Sequence, residues 1–354
     1  MNATQILEYI LQEKEKHGIS RNKTITEISK TLNLARGTIT RWLLLENVPA
    51  AYTFDLMKIA GMEIDYSKFD YKQKDQFFTA PDTAQKCYDI FLEKMKEFSV
   101  DTSQYLFVEP SAGSGVFLDV LPKEKTLAFD IEPRHKAVQK CDFLTYLPKD
   151  DKKYIVFGNP PFGLRGHLAL SFINHSGKFA DFVCFILPQL FESDGKGSPR
   201  KRVEDFNLIH SEKIGNDFEF PDGEKVKVNV MFQIWSKDHK NSKFEIKAHD
   251  ETKVKVYSLS NGNSPSQQRN TAMIGKCDIY LPSTCFGSEN MTCYDSFEDL
   301  PNKKGYGIVF NSNKKCYIET ASKIDWASVS FASTNSALNL RKSKILEAFA
   351  EIEN

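Results

Sequence analysis

Leu106-Phe-Val-Glu-Pro-Ser-Ala-Gly-Ser-Gly-Val-Phe-Leu118 is the stretch that decides the fold of this chain. An apolar strand runs into a turn holding Gly113 and Gly115, and a second apolar run follows. Glycines in such a turn let the backbone approach a ligand closely, and a helix opening there presents unpaired N–H groups. The expectation is a strand, a ligand loop and a helix beginning near Val116. The full G-x-G-x-x-G pattern is missing its third glycine, so the ligand need not carry a pyrophosphate.

Working outward, Thr126-Leu-Ala-Phe-Asp130 reads as a second strand ending in a carboxylate, a position suited to the two hydroxyls of a ribose. Asp142, in Cys141-Asp-Phe-Leu144, can accept from an adenine amino group with Phe143 beside the ring. The apolar run Tyr154–Phe157 then leads into Asn159-Pro160-Pro161-Phe162, a tight turn at the carboxyl end of a buried strand. An Asn side-chain oxygen and a proline-fixed carbonyl can each accept one N–H of an exocyclic amine. Together they orient its lone pair and stabilise the charge that develops on it. Pro161 stiffens the turn, and Phe162 offers a flat face to a ring. Asn and Pro are also ordinary turn formers, so it is the ordered set of strand-end residues that gives the tetrapeptide its meaning.

These motifs resemble those of S-adenosyl-L-methionine-dependent amino-methyltransferases, of the kind that methylates adenine N6 in DNA and serves restriction-modification. The resemblance spans roughly Asp75 to Trp235 and is specific for reaction type, not for target sequence. It implies a cofactor loop of Glu109, Pro110, Ser111, Ala112, Gly113 and Gly115, with Asp130 and Ile131 at the ribose and Asp142 and Phe143 at the adenine. The segment Asp75–Ala84 resembles the part that cups the methionine end, through Phe78, Thr79 and Pro81, with Glu109 helping. Asn159, Pro160, Pro161 and Phe162 become the catalytic turn, with Asn159 also beside the cofactor. Cofactor loop first, catalytic turn second and recognition region last is the γ order. Phe182–Pro188 and Val228–Trp235 resemble the later strands of the same sheet. Cytosine N4 presents a similar amine. RNA and protein-glutamine methyltransferases use related Asn-Pro-Pro turns, and a DNA-binding regulator that only senses the cofactor is the reading from another class.

The amino terminus has a different character. Thr24–Leu32 reads as an amphipathic helix with a hydroxyl cap at its start, followed by Asn33 in a turn position that favours positive φ. Ala35–Leu43 places Ile39, Trp42 and Leu43 on one face and Arg36, Thr38, Thr40 and Arg41 on the other. That is the layout of a helix-turn-helix, whose second helix enters the major groove of duplex DNA; a plain docking module has the same pattern. Phe54–Met62 reads as a further helix, and 65–74 as a linker.

Beyond Trp235, Val254–Tyr257, Cys277–Leu281 and Tyr306–Phe310 read as strands, Ser258–Asn270 as a polar loop, and Arg341–Ile352 as a closing helix. Gln267, Gln268, Arg269 and Asn270 can read base edges. The whole is expected to be α/β: a Rossmann-like class I methyltransferase sheet over 67–240, a small helical domain over 1–66, and a C-terminal α+β module over 241–354 for target recognition or, equally, for dimerisation or scaffolding.

The chain has 354 residues, 47 basic and 47 acidic, so phosphate contacts must be concentrated in patches. Lys196–Arg202 is one candidate, with Arg200, Lys201 and Arg202 as the contacts; a solvated surface loop has the same composition. The seven scattered cysteines read as free thiols in a reducing compartment, and no spacing suggests a metal site. No apolar run is long enough for a membrane span, and Met1–Ser20 is too polar for a secretory signal. The expected location is the cytoplasm, or the nucleus in a eukaryote. Oligomeric state is not legible.

Overall fold

The protein is described from a computed structural model covering residues 1–66, 69, 77–195, 198–215, 217–220, 222–245, 250–332 and 337–350. The start of the Asp75–Ala84 segment, most of the 65–74 linker, Lys196 and Gly197 of the basic patch, and the last turn of the closing helix lie outside the described residues. The chain divides into two units, Met1–Leu187 with Arg202–Asn241, and Pro188–Lys201 with Ser242–Asn354.

The first unit begins with helices α1 (Ala3–Lys16), α2 (Arg21–Thr31), α3 (Arg36–Leu44) and α4 (Thr53–Ile59). A reciprocal capping box between Asn2 and Gln5 starts α1. The cap of α2 is Ser20, not a residue at Thr24 as expected, because three further residues join the helix ahead of Thr24. Asn33 closes α2 at a φ of 51°, where its short polar side chain tolerates the left-handed conformation. Ile6, Leu7, Ile28, Ile39, Trp42 and Leu56 form the shared core of these helices.

The sheet elements follow: β1 (Phe78–Thr79), α5 (Pro81–Glu97), β2 (Tyr105–Glu109), β3 (Thr126–Asp130), β4 (Gln139–Lys140), β5 (Lys153–Gly158), α6 (His167–Ser176), β6 (Phe182–Pro188), β7 (Asn207–Lys213), β8 (Asp217–Glu219), β9 (Lys225–Lys227) and β10 (Val230–Ser236). Seven strands form one sheet in the order β4-β3-β2-β5-β6-β10-β7. The pairs among β4, β3, β2, β5 and β6 are parallel, whereas β10 and β7 pair antiparallel. This mixed sheet flanked by helices resembles the class I Rossmann-like core expected from the motifs.

Pro81 opens α5 at a position where its missing N–H costs nothing. Ala84, Cys87, Phe91 and Met95 then recur at helical spacing and bury one face. Phe91 meets Phe107 and Phe157 edge-on at 5.8 and 5.6 Å. Truncating such a fully buried ring costs about 3–5 kcal/mol. The helix expected from Val116 is instead a short 3-10 turn, Val116–Asp119. Gly115 enters it in the left-handed region and Pro122 follows closely, so no α-helix can propagate there.

The second unit is α+β: β11 (Val254–Asn261), β12 (Gln268–Arg269), β13 (Ile279–Pro282), β14 (Thr284–Cys285), β15 (Lys304–Phe310), α7 (Lys314–Ala321), α8 (Trp326–Val329), β16 (Phe331–Ala332), β17 (Leu338–Asn339) and α9 (Lys342–Ala350). Trp326, Phe310, Tyr317 and Phe349 anchor its core, with Phe310 stacked on Tyr317 at 5.1 Å. The tract 258–270 is not simply a loop. Its ends pair antiparallel, Ser260 opposite Arg269 and Asn261 opposite Gln268, because Gly262 and Pro265 supply the reversal between them.

Candidate active site at the ends of the parallel strands

The chain runs from β2 outward through β3 and β4, then returns to lay β5 on the other side of β2. A crevice opens at the carboxyl ends of strands where the order reverses in this way. Glu109 ends β2 and Asn159 directly follows β5, so the switch point brings the two motifs together. The Ser111 hydroxyl donates to the Asn159 backbone carbonyl at 3.1 Å, tying the cofactor-loop candidate to the catalytic-turn candidate.

The Asn159 amide nitrogen donates to Thr79 Oγ1 at 3.2 Å. Its side-chain oxygen is buried and accepts no hydrogen bond among the described residues. Glu109 is 1% exposed, and its Oε2 likewise has no partner among them. Burial, and secondarily the nearby Asp130, push the Glu109 carboxyl up to about 8. The two motifs press closely here, since a Cβ on Gly158 would lie 3.4 Å from Glu109 Cγ and 3.5 Å from Pro110 Cδ.

Asp130 accepts the Gly113 N–H and the Glu132 N–H, each at 2.8 Å, which fixes the loop after Pro110 against the end of β3. Burial raises the Asp130 pKa despite those two donors. Ala112 is buried and donates its N–H to the Phe129 carbonyl, while Ile131 is half-buried next to Asp130. Gly113 has a φ of 51°, and a Cβ there would come within 3.3 Å of the Phe78 ring. Phe78 in turn carries the Arg134 guanidinium 5.4 Å above its ring and pairs with Glu219 of β8. Pro81 is exposed at the head of α5.

Three residues sit differently from expectation. Phe143 is 1% exposed and stacks on Phe172 at 5.2 Å, so it belongs to the packing under α6. It starts a 3-10 turn capped by Asp142, and one step around that turn points an apolar ring inward. Asp142 itself accepts the Leu144 N–H at 3.1 Å and pairs with Lys58 of α4 at 2.6 Å. Phe162, 4% exposed, has Phe77 along its face at 6.3 Å and 25°, so it is not an open stacking platform. Pro160 is buried and Pro161 half-buried beside it.

The nucleic-acid candidates divide. Arg36, Thr40 and Arg41 are exposed on α3, with Arg36 donating to Asn22 Oδ1 at 2.7 Å, whereas Thr38 is half-buried. Arg200 donates to the carbonyls of Glu192 and Phe244, and Arg202 to that of Asn33. Burial lowers the pKa of both guanidiniums. These two half-buried guanidiniums hold the chain's own backbone, and Lys201 alone of the three is exposed. Contacts from α4 were not anticipated. Asp55 lies 2.9 Å from Nε2 of His167, the first residue of α6, and Lys58 reaches Asp142.

Among the described residues no cluster of His, Cys, Asp and Glu could hold a metal, and no helix is long and apolar enough to cross a membrane. No protein-family model matches the sequence, and no curated protein matches it. Solved structures are similar over part of the fold. A candidate RNA methyltransferase from Pyrococcus horikoshii is 17% identical with a TM-score of 0.34, covering 46% of this chain and 86% of its own. A type I restriction-modification methyltransferase subunit from Streptococcus thermophilus is 12% identical with a TM-score of 0.31, covering 58% and 53%. The type IIG restriction endonuclease BpuSI is 12% identical with a TM-score of 0.34, covering 72% and 38%.

Proposed function

We propose that this chain transfers the methyl group of S-adenosyl-L-methionine to adenine N6 in double-stranded DNA, after turning the base out of the helix. The observation that carries this reading is the Asn159 side-chain oxygen. It is a buried acceptor at the end of a parallel strand, anchored through its own amide on Thr79 and without a partner among the described residues. Leaving such a group unpaired costs roughly 1–3 kcal/mol, which an amine N–H placed against it relieves.

The surrounding residues suit the cofactor. Glu109 offers a buried carboxyl oxygen without a partner to a cationic amino group, and Gly113 keeps side-chain bulk off the loop. Asp130 retains lone pairs for ribose hydroxyls beyond the two N–H groups it accepts, and Asp142 is the candidate for the adenine amine. Bound S-adenosyl-L-methionine supplies a methyl group on a positively charged sulfur. Asn159 Oδ1 and the Pro160 carbonyl would accept the two hydrogens of the target amine and aim its lone pair. Thr79 holds the Asn159 amide in that orientation, and the surplus proton leaves to water. Alignment of this kind is the main source of rate when the electrophile is already activated.

Turning the base out costs a few kcal/mol. In this reading residues 1–66 act as a helix-turn-helix module presenting α3 to the major groove, 67–240 carry the chemistry, and 241–354 form a target-recognition module. Incubating the protein with labelled cofactor and unmethylated duplex DNA, then digesting to nucleosides, tests the reading. N6-methyladenine is expected. N4-methylcytosine would overturn the choice of base, and transfer only to RNA or protein would overturn the substrate class.

A further inference from the structure

We propose that Leu164 and Arg165 enter the duplex beside the target base, with Leu164 filling the gap in the base stack and Arg165 taking a neighbouring phosphate. This rests on the proposed action on duplex DNA and assigns residues that the catalytic turn does not use. The loop Gly163-Leu-Arg-Gly166 continues directly from Phe162, on the same turn as Asn159.

Its backbone is unusual. Gly163, Arg165 and Gly166 have φ values of 67°, 57° and 73°. Glycine carries that conformation freely at the two outer positions, but at Arg165 it is strained by the side chain. Strain of this sort persists where surrounding structure over-determines it, as in ligand clamps. What the strained turn displays is an apolar side chain and a cation together: Leu164 is 40% exposed, and Arg165 is exposed beside it. An exposed leucine gains nothing from water, whereas apolar wedges inserted between bases are a known means of opening a stack.

The tip is also braced from behind. His167, 3% exposed, places Nδ1 3.2 Å from the Leu164 carbonyl and Nε2 2.9 Å from Asp55. Its ring lies 4.5 Å from that of Tyr52. Gly163 has no room for a side chain, because a Cβ there would fall 2.5 Å from the His167 ring. The Gly166 N–H donates to the Gly163 carbonyl at 3.1 Å, and the Leu168 N–H to the Phe162 carbonyl at 3.1 Å. A wedge must resist being pushed back by the stack, and these bonds give the loop that resistance.

The experiment uses the full chain and a duplex carrying the site that the wild-type protein methylates. A second duplex has the target's partner base removed, so that unpairing no longer has to be driven. Leu164→Ala should slow transfer to the intact duplex by about ten- to a hundredfold, the scale of losing part of a flipping cost of a few kcal/mol. On the duplex lacking the partner base it should return to within a few-fold of wild type. Arg165→Ala should weaken DNA binding and reduce the salt slope by about one. An unchanged Leu164→Ala rate, or an equal loss on both duplexes, would overturn the wedge and leave the methyltransferase reading standing. Wild-type protein that methylates no DNA would overturn the substrate class first, and the wedge with it.

Discussion

Lys58 Nζ lies 2.6 Å from Asp142 Oδ2, so a side chain of the N-terminal helices holds the carboxylate assigned to the adenine of the cofactor. Burial is the largest single influence and works against the Lys58 charge, yet the bond to Asp142 together with the negative charge of Asp142, Tyr66 and Asp55 keeps the Lys58 pKa above its usual value. Any amine seeking Asp142 has to share it with this cation. Lys58→Ala should therefore tighten binding of S-adenosylhomocysteine several-fold, read by calorimetric titration, while Asp142→Asn should weaken it. The fold should hardly respond, because a partly exposed pair contributes about 0–1 kcal/mol. Weaker binding in Lys58→Ala would make Lys58 part of the cofactor site.

Thr79 acts on the chemistry through Asn159. Thr79→Val keeps the shape but removes the oxygen that takes the Asn159 amide. The amide is then free to turn, and methyl transfer should fall on the order of tenfold with cofactor affinity retained. A loss confined to cofactor affinity would place Thr79 against the cofactor alone.

Glu109 predicts a pH dependence of stability. Its carboxyl is raised from 4.5 to about 8 in the folded chain, through burial first and Asp130 second. Between those values the folded protein keeps a proton that the unfolded chain has released. Stability contributed by this group is thus full below the unfolded value and is lost as pH rises towards about 8, at about 1.4 kcal/mol per pH unit. Glu109→Gln should lack that slope and exceed wild type in urea unfolding at the upper end of the window. A parallel slope in the variant would show that Glu109 is not the titrating group.

Much of this was legible from sequence because strand ends announce themselves. Apolar runs that stop at Glu109, Asp130 and Asn159 place three polar groups where a parallel sheet exposes its carboxyl edge, and β2, β3, β5 and β6 lie where those runs are. What pairing and packing decide was not legible. Phe143 looks like a ligand neighbour until α6 supplies Phe172 to stack on it. Arg200 and Arg202 look like a purely exposed basic patch until the carbonyls that they satisfy are seen. The partners of α4, His167 and Asp142, lie far along the chain, and no local pattern encodes such contacts.

Arg36 and Arg41 test the α3 assignment. Each is exposed, and Arg36 donates to Asn22 Oδ1. If they contact phosphates, Arg36→Ala and Arg41→Ala should weaken binding evenly across DNA sequences and flatten its salt dependence. If they read guanine edges, each should cost about 1–3 kcal/mol at one base position. Unchanged affinity and site choice in both would reduce these helices to a docking element.

The most direct measurement is single-turnover methyl transfer to duplex DNA by Asn159→Ala beside the wild-type protein, with cofactor binding measured on the same samples. Removing the buried acceptor should slow transfer by about two to three orders of magnitude, the scale for losing one oriented electrostatic partner, while cofactor affinity is largely kept. Transfer at close to the wild-type rate would contradict the assignment of Asn159 as the group that activates the amine.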